Sequence, residues 1–178
     1  GLGDVYKRQS INNTTINAGS NANQFAFDVC GYAKYTAGVT VTVSGTSVIN
    51  GKVEISKSAG NTEPMKLNIT GGTFNGDLKV DASVGTENAK SIISVSGGTF
   101  SDPSVLKYMA TNATVDIKLL SNINIAKTEL ATGYILNAAN ATANLNLNGH
   151  DIINSSETAD ATPFTQIFTV QNLSLIHI

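Results

Sequence analysis

The sequence predicts an all-β fold, a single-stranded right-handed parallel β-helix (β-solenoid) with about 25–26 residues per coil and one short helix near 102–110. Three observations predict it. The string Gly-Gly-Thr-Phe occurs at Gly71–Phe74 and returns unchanged at Gly97–Phe100. Apolar and polar residues alternate in short segments around both copies, which indicates strands. Gly and Asn separate these segments, which is typical of turns.

Both ends of the chain are predicted to be translated sequencing adapter. The residues Asp4–Gln9 can be written in codons whose reverse complement translates as Leu173–Ile178. Chance does not produce that relation in a folded domain, and the string resembles a transposase end used to fragment DNA. We therefore expect residues 1–9 and 173–178 to be artefacts. Residues 10–172 are then a β-solenoid fragment, with further coils of the same chain expected at both ends.

The charge pattern excludes several partners. The chain has 11 Lys and Arg against 13 Asp and Glu, and Arg8, within the predicted adapter, is its only arginine. Phosphate binding needs clustered Lys and Arg, so we expect no nucleic-acid partner and no binding to anionic membrane surfaces. No run approaches the roughly 18 apolar residues of a membrane helix, so we expect no membrane insertion in this fragment.

The first strand of the repeat recurs at a fixed spacing. Val41–Gly45 is followed by Leu67–Phe74 and then by Ile93–Phe100, in two equal steps along the chain. A second register supports the same period, because Asn50–Ile55 matches Asn75–Val80 at nearly the same separation. Each segment alternates with period two, so one face is expected in a core and the other in water.

Equivalent residues of successive coils are expected to lie on top of one another. Val43, Ile69 and Val95 should form an internal apolar stack. The coil should be right-handed, because parallel crossover connections almost always are. A β-sandwich would also show short strands with frequent turns. It would not explain why the same string returns at a fixed spacing.

A second stack is predicted for the aromatic residues, with Phe74 over Phe100 and Val48 at its head. The glycines before them are expected to turn the corner, since only glycine takes positive φ freely. The predicted structural repeat positions are Gly45, Gly71, Gly72, Phe74, Gly97, Gly98 and Phe100.

The repeat breaks after Phe100. Asp102 is a predicted helix cap and Pro103 the first helical residue, where a missing N–H is harmless. This predicts the short helix over 102–110. Strands are expected to resume afterwards, at Val115–Leu119, Ile123–Ile125, Leu145–Leu147 and Gln166–Val170.

Three of these strings carry a resemblance to a known family. Ile69–Phe74, Val95–Ser104 and Leu145–Ile152 resemble repeats of large secreted bacterial proteins similar to the pectate-lyase-like right-handed β-helix superfamily. The resemblance covers about residues 39–153. It implies a bacterial protein that is extracellular or at the cell surface, and contact with extracellular or cell-surface glycans.

No catalytic chemistry is predicted. Lyases of that superfamily would need an arginine base and clustered aspartates, and hydrolases would need paired aspartates near Gly-His-Gly. His150 lies in the nearest approach, Gly149–Asp151, which lacks the second glycine, and we interpret it as a polar coil corner. The lone Cys30 is expected to be a buried, inert thiol. Zinc, calcium-repeat and P-loop spacings are absent from the sequence, so we expect no metal site and no cofactor.

The function expected from the sequence is that of a non-catalytic solenoid fragment with a structural, spacer or adhesion role and weak glycan binding. Two alternatives remain open. One is a polysaccharide-active β-helix enzyme whose catalytic coils lie outside this fragment, and the other is a phage fibre or tailspike segment.

The Asn-x-Ser/Thr strings are interpreted as chance in a chain of this composition; they begin at Asn12, Asn13, Asn68, Asn112, Asn140 and Asn154.

Overall fold

The computed structural model describes residues 8–19, 25–32, 38–85, 92–125, 134–154, 167–172 and 174–178. In this part of the chain the protein is mostly β, and every strand pair is parallel. The predicted all-β class is therefore confirmed. The strands are β1 (Arg8–Asn12), β2 (Thr15–Asn17), β3 (Phe25–Gly31), β4 (Val39–Ser44), β5 (Val48–Asn50), β6 (Lys52–Lys57), β7 (Met65–Ile69), β8 (Thr73–Phe74), β9 (Leu78–Val80), β10 (Ile93–Val95), β11 (Thr99–Phe100), β12 (Thr114–Lys118), β13 (Ile123–Ile125), β14 (Tyr134–Asn137), β15 (Thr142–Asn146), β16 (Ile152–Asn154), β17 (Phe168–Gln171) and β18 (Leu175–His177).

The strands pair in a cyclic order. The first sheet has the order β1-β4-β7-β10, and the third sheet has the order β3-β6-β9. The second sheet has seven strands in the order β18-β15-β12-β11-β8-β5-β2. In the first half of the chain each strand therefore pairs with the third strand after it. Three consecutive strands form one unit, and each unit is hydrogen-bonded to the next.

The first sheet carries the predicted apolar stack. Val43 pairs with Ile69, and Ile69 pairs with Val95. All three side chains are fully buried. The polar residues between them are at least partly exposed, as the period-two pattern predicts. The order and inward direction of this row are confirmed.

The second sheet carries a longer interior row that corrects one prediction. Phe74 pairs with Phe100 as expected, but the residue opposite Phe74 on the preceding strand is Ile49. Val48 pairs with Thr73 and is only half-buried, so it does not head the aromatic stack. The reason is the corner before β5. Val43 is the register partner of Ile69, and the path from Val43 to Ile49 is one residue longer than the path from Ile69 to Phe74. A one-residue shift sends alternate side chains to the other face.

The described residues contain two 3₁₀ helices where the sequence predicted one: Ala82–Val84 was not predicted, and Pro103–Tyr108 follows β11 within the predicted span of 102–110. Asp102 caps it, because its Oδ1 accepts a hydrogen bond from the backbone N–H of Ser104 at 2.7 Å. The helix stands where a strand of the third sheet would follow. The unit is therefore short, and Phe100 pairs with Ile117 after a much shorter stretch of chain than separates Phe74 from Phe100.

The regular period holds only for the middle of the chain. Pairs of the later strands are further apart, with Ile117 opposite Leu145 and Leu136 opposite Val170. β13 pairs with β16 and β14 with β17 in two separate two-stranded sheets. Part of the last predicted strand, residue 166, lies outside the described residues; β17 begins at Phe168.

The predicted adapter segments are in contact with the rest of the chain where they are described. Arg8 pairs with Thr40 on β4, and Leu175–His177 forms β18 beside β15. Ile176 is half-buried and packs against the core. Strand pairing does not depend on the origin of a segment, because an alternating peptide can add to any open sheet edge.

Candidate functional site

The predicted structural repeat positions lie together where the chain passes from the first sheet to the second. Gly45, Gly72 and Gly98 have positive φ values of 63°, 97° and 119°. A Cβ on Gly98 would stand 3.0 Å from the carbonyl oxygen of Gly72, so the two units approach too closely for a side chain. Gly71 and Gly97 would each bring a Cβ within 3.3 Å of a backbone oxygen in the preceding unit. Phe74 and Phe100 lie directly after this corner.

Asparagine occupies the same corner in other units. The residues with positive φ there are Asn13, Asn112, Asn140 and Asn172, with φ between 51° and 58°. Asparagine adopts this left-handed conformation more readily than other side chains. Each of the four is followed two residues later by Thr or Ser, so in three of the six strings that were interpreted as chance the asparagine lies at a corner. The spacing of these asparagines along the chain could have identified them as corner residues. The pattern is hard to see in the sequence because Gly replaces Asn at the corners of the middle units.

A ladder of side-chain amides lines the corner between the second and third sheets. The Nδ2 of Asn50 donates to the Oδ1 of Asn17 at 2.7 Å, and the Nδ2 of Asn75 donates to the Oδ1 of Asn50 at 2.8 Å. Each amide thus satisfies the next one along the stack. The ladder ties three units together and fixes their register.

The outer face of the first sheet carries a row of small polar side chains. Ser10, Thr42, Asn68 and Ser94 are successive register partners. All four are exposed or half-buried. Hydroxyl and amide groups in a row offer donors and acceptors to a ligand that lies along the stack, and none of them carries a charge.

A groove lies on the outer face of the second sheet. Asp116 and Lys118 line it together with Asn144, whose Nδ2 donates to the Asp116 Oδ1 at 2.9 Å. The groove has a volume of about 430 Å³. Its far wall is made by His177 and Ile178, which belong to the predicted adapter.

Charged residues gather on the third sheet. The Nζ of Lys79 lies 3.2 Å from the Oε1 of Glu54 and 3.8 Å from the Oδ2 of Asp81. Ser56 donates to the Oδ2 of Asp28 at 2.7 Å. The pKa of Asp28 is raised above its usual value, chiefly because burial removes water from the carboxyl group. The hydrogen bond from Ser56 opposes this shift, and the nearby carboxylates of Glu54 and Asp81 add to it. Within the described ranges no three His, Cys, Asp or Glu side chains are placed to hold a metal ion.

The remaining candidate residues lie apart from one another. His150 is half-buried in the turn after β15, where its backbone N–H donates to the carbonyl of Leu147 at 2.8 Å. Cys30 is partly exposed on β3, so the expectation of a buried thiol was wrong. Its Sγ lies 3.8 Å from the carbonyl oxygen of Gly31. Neither residue contacts a partner that would make it a nucleophile or a base in the part of the structure described.

Comparison with known proteins adds no relative to this picture. None of the helices among the described residues has the length and apolar character needed to cross a membrane. No family model, no curated protein and no solved structure matches the chain.

Proposed function

We propose that the chain is a stretch of right-handed parallel β-helix, and that it serves as a non-catalytic module of a secreted or cell-surface bacterial protein. In this role it spaces or presents other domains, or adheres to a partner. The observation that carries the proposal is the cyclic strand order, in which units of three strands repeat and pair with the next unit. That order is what a helical path of the chain around one core produces.

The division between inside and outside supports the same proposal. The interior row of the second sheet runs through residues that are nearly all fully buried; its members are Ile49, Phe74, Phe100, Ile117 and Leu145. The outer row of the first sheet, through Ser10, Thr42, Asn68 and Ser94, is polar and uncharged. A rigid stack with a hydroxyl- and amide-rich surface suits a spacer that also binds a neutral glycan weakly.

The decisive measurement is a distance along the stack. The exposed residues Thr15 and Asn144 lie in one row of the second sheet, five strand spacings apart through Val48, Thr73, Thr99 and Asp116. At about 4.8 Å per spacing, their Cα atoms should be about 24 Å apart. Spin labels on the double variant Thr15→Cys/Asn144→Cys, with Cys30→Ser, measure this distance by pulsed electron paramagnetic resonance.

A matched pair controls for label geometry. Asp116→Cys/Asn144→Cys places labels on adjacent strands, where continuous-wave spectra should show strong dipolar broadening. A narrow distribution consistent with the long spacing supports a single continuous stack. A distance that is much shorter, or two separate populations, would rule out the β-helix and favour a sandwich or a mixture of packings.

The absence of catalysis is tested separately. Purified protein should release neither reducing ends nor unsaturated products from a panel of acidic and neutral polysaccharides, with or without calcium. Turnover that disappears in His150→Ala would overturn the non-enzyme proposal. Turnover that is indifferent to this change would be traced by repeating the assay on protein purified by a second route.

The proposed origin of the two ends is open to direct reading. The source DNA around this segment should continue as repeat-coding sequence beyond residues 10 and 172, with a secretion or surface-sorting signal in the same reading frame. A natural reading frame that contains Asp4–Gln9 and Leu173–Ile178 would contradict the adapter interpretation. Neighbouring capsid or tail genes would favour a phage fibre instead.

A further inference from the structure

The first sheet is interrupted at one place, and the interruption leaves a cleft on the outer surface. Among the described residues, Val95 is joined to the next unit only by an isolated bridge to Met109. The chain then runs on through Ala110 to the next corner without forming a strand of this sheet. The next strand on this side, β14, pairs with β17 in its own sheet. The cleft lies between β10 and that pair and has a volume of about 460 Å³.

The space exists because the side chains around it are small. Ala110, Ala138 and Ala139 border the cleft where a regular strand would present larger residues. Tyr108 and Met109, both almost completely buried, line it from the core side. Tyr108 is the last residue of the 3₁₀ helix and Met109 forms the bridge to Val95, so hydrogen-bonded backbone places both residues on this side of the cleft.

Hydrogen-bonding groups converge on the cleft from four segments of the chain. Ser94 comes from β10, Thr111 from the following corner, Asn137 from the end of β14 and Asn172 from the end of β17. The Nδ2 of Asn172 donates to the Oδ1 of Asn137, which orients both amides. The hydroxyls of Ser94 and Thr111 make no side-chain hydrogen bond to any described residue, so they are available to a ligand.

As far as the chain is described, the lining contains no Asp, Glu, Lys, Arg or His. A charged ligand would lose its hydration there without gaining an opposite charge, which is unfavourable. An apolar ligand would leave the hydroxyls and amides unpaired. The volume lies within the range of small-molecule sites, which is about 300–1,000 Å³. These properties fit a compact, uncharged molecule with many hydroxyl groups.

We infer that this cleft is a binding site for an uncharged mono- or disaccharide unit, bound through Ser94, Thr111, Asn137 and Asn172. The inference rests on the proposed role at a glycan-bearing surface and gives that role a definite place on the fold. The groove on the second sheet is a different kind of site, since Asp116 and Lys118 make it charged and the predicted adapter closes it.

The test is a titration of ¹⁵N-labelled protein followed by amide chemical shifts. The probes are lactose, cellobiose and N-acetylglucosamine, with galacturonic acid as the charged counterpart. They are added to about 50 mM, well above the ~1 mM dissociation constant of a weak site. At least one neutral probe should produce saturable shifts that centre on Ser94, Thr111, Asn137 and Asn172. Galacturonic acid should shift none of them.

Two variants remove cleft groups and one controls for the surface. Asn137→Ala should weaken binding about tenfold or more, and Thr111→Ala, at an exposed position that tolerates truncation, should weaken it severalfold. Asn144→Ala, in the groove of the second sheet, should leave the affinity unchanged. Shifts centred on Asp116 and Asn144, binding indifferent to both cleft variants, or no saturable shift with any neutral probe would overturn the inference. The spin-label distance between residues 15 and 144 does not depend on sugar binding, so the β-helix proposal is tested independently of this inference.

Discussion

The rings of Phe74 and Phe100 stack with their centroids 5.1 Å apart and their planes inclined by 13°. Phe100 lies in the middle of the interior row, with Phe74 on one side and Ile117 on the other. Phe100→Ala would remove both contacts and leave a cavity that the neighbouring units cannot close. We expect the free energy of unfolding to fall by about 3–5 kcal/mol, measured by urea denaturation. Thr99→Ala, on the outer face of the same strand, should change it by less than about 0.5 kcal/mol. Equal midpoints for the two variants would contradict the central position of Phe100.

The amide ladder makes a second prediction. Asn50 both donates to Asn17 and accepts from Asn75, so Asn50→Ala breaks two hydrogen bonds in partly exposed surroundings. At about 1 kcal/mol for each bond, the loss should be about 1–2 kcal/mol in thermal or chemical denaturation. Asn124→Ala, an exposed asparagine on β13, is the matched control and should be nearly neutral. If both changes have the same effect, the ladder contributes no stability.

The corner glycines separate two physical effects. A side chain on Gly85 is opposed only by its positive φ of 75°, because no described atom lies within 4 Å of the added Cβ. The ψ of Gly85 is −143°, outside the left-handed helical region, so Gly85→Ala should lower the unfolding free energy by about 1–3 kcal/mol. Gly98→Ala has the same kind of backbone cost and also meets the Gly72 carbonyl, so it should lose at least about 1 kcal/mol more. Denaturation curves of the two variants measure the difference, and a smaller loss at Gly98 would show that the two units can move apart there.

Tyr108 predicts a dependence on alkaline pH. Burial raises the pKa of this phenol from 10.0 to about 12. Because the folded pKa is the higher one, the stabilising contribution is complete below pH 10 and is lost as the pH rises from about 10 toward 12. The loss should approach about 2–3 kcal/mol. Tyr108→Phe keeps the ring, and with it the contact to the Lys107 Nζ at 4.9 Å, but cannot ionise. The free energy of unfolding of this variant should fall less between pH 10 and 12. The difference in tyrosinate absorbance between the original protein and the variant should place the titration of Tyr108 near pH 12.

The C-terminal strand offers a test of a segment that we predict to be foreign. Truncation after Asn172 removes β18 and uncovers the core contacts of Ile176. Burial of a half-buried isoleucine contributes about 1–2 kcal/mol. The free energy of unfolding of the truncated protein should fall by about this amount, and its melting temperature should fall with it. Removing only His177 and Ile178, both exposed, should have a much smaller effect. Unchanged melting after the longer truncation would mean that β18 does not contribute to the stack.

The sequence predicted the interior rows of side chains correctly where the repeat has a constant length, and incorrectly where the length of the repeat changes. Val43, Ile69 and Val95 follow one another at equal spacing, so alternation and period together indicated their order. Val48 was assigned the place of Ile49 because the path from Val43 to Ile49 is one residue longer than the equivalent path from Ile69 to Phe74. A single residue in a turn leaves almost no trace in composition but reverses which side chains face the core.

The cleft could not have been predicted in the same way. Ser94, Thr111, Asn137 and Asn172 are far apart in the chain and belong to no common string. They meet because the unit after Phe100 is shorter than the units before it and passes over the first sheet without a strand. The sequence indicated the helix that causes this shortening, through Asp102 and Pro103, but not the pairing that results from it.

The single bridge between Val95 and Met109 also bears on how the molecule opens. In a stack of this kind each unit contacts only its neighbours, so cooperativity is passed along one boundary at a time. Among the described residues at this boundary, the first sheet contributes one bridge and the second sheet contributes two residue pairs. The helix Pro103–Tyr108 takes the place of a strand of the third sheet. Amide hydrogen exchange should therefore divide the chain into two blocks here, each with its own opening free energy, and the seam between them is where partial unfolding is expected to begin.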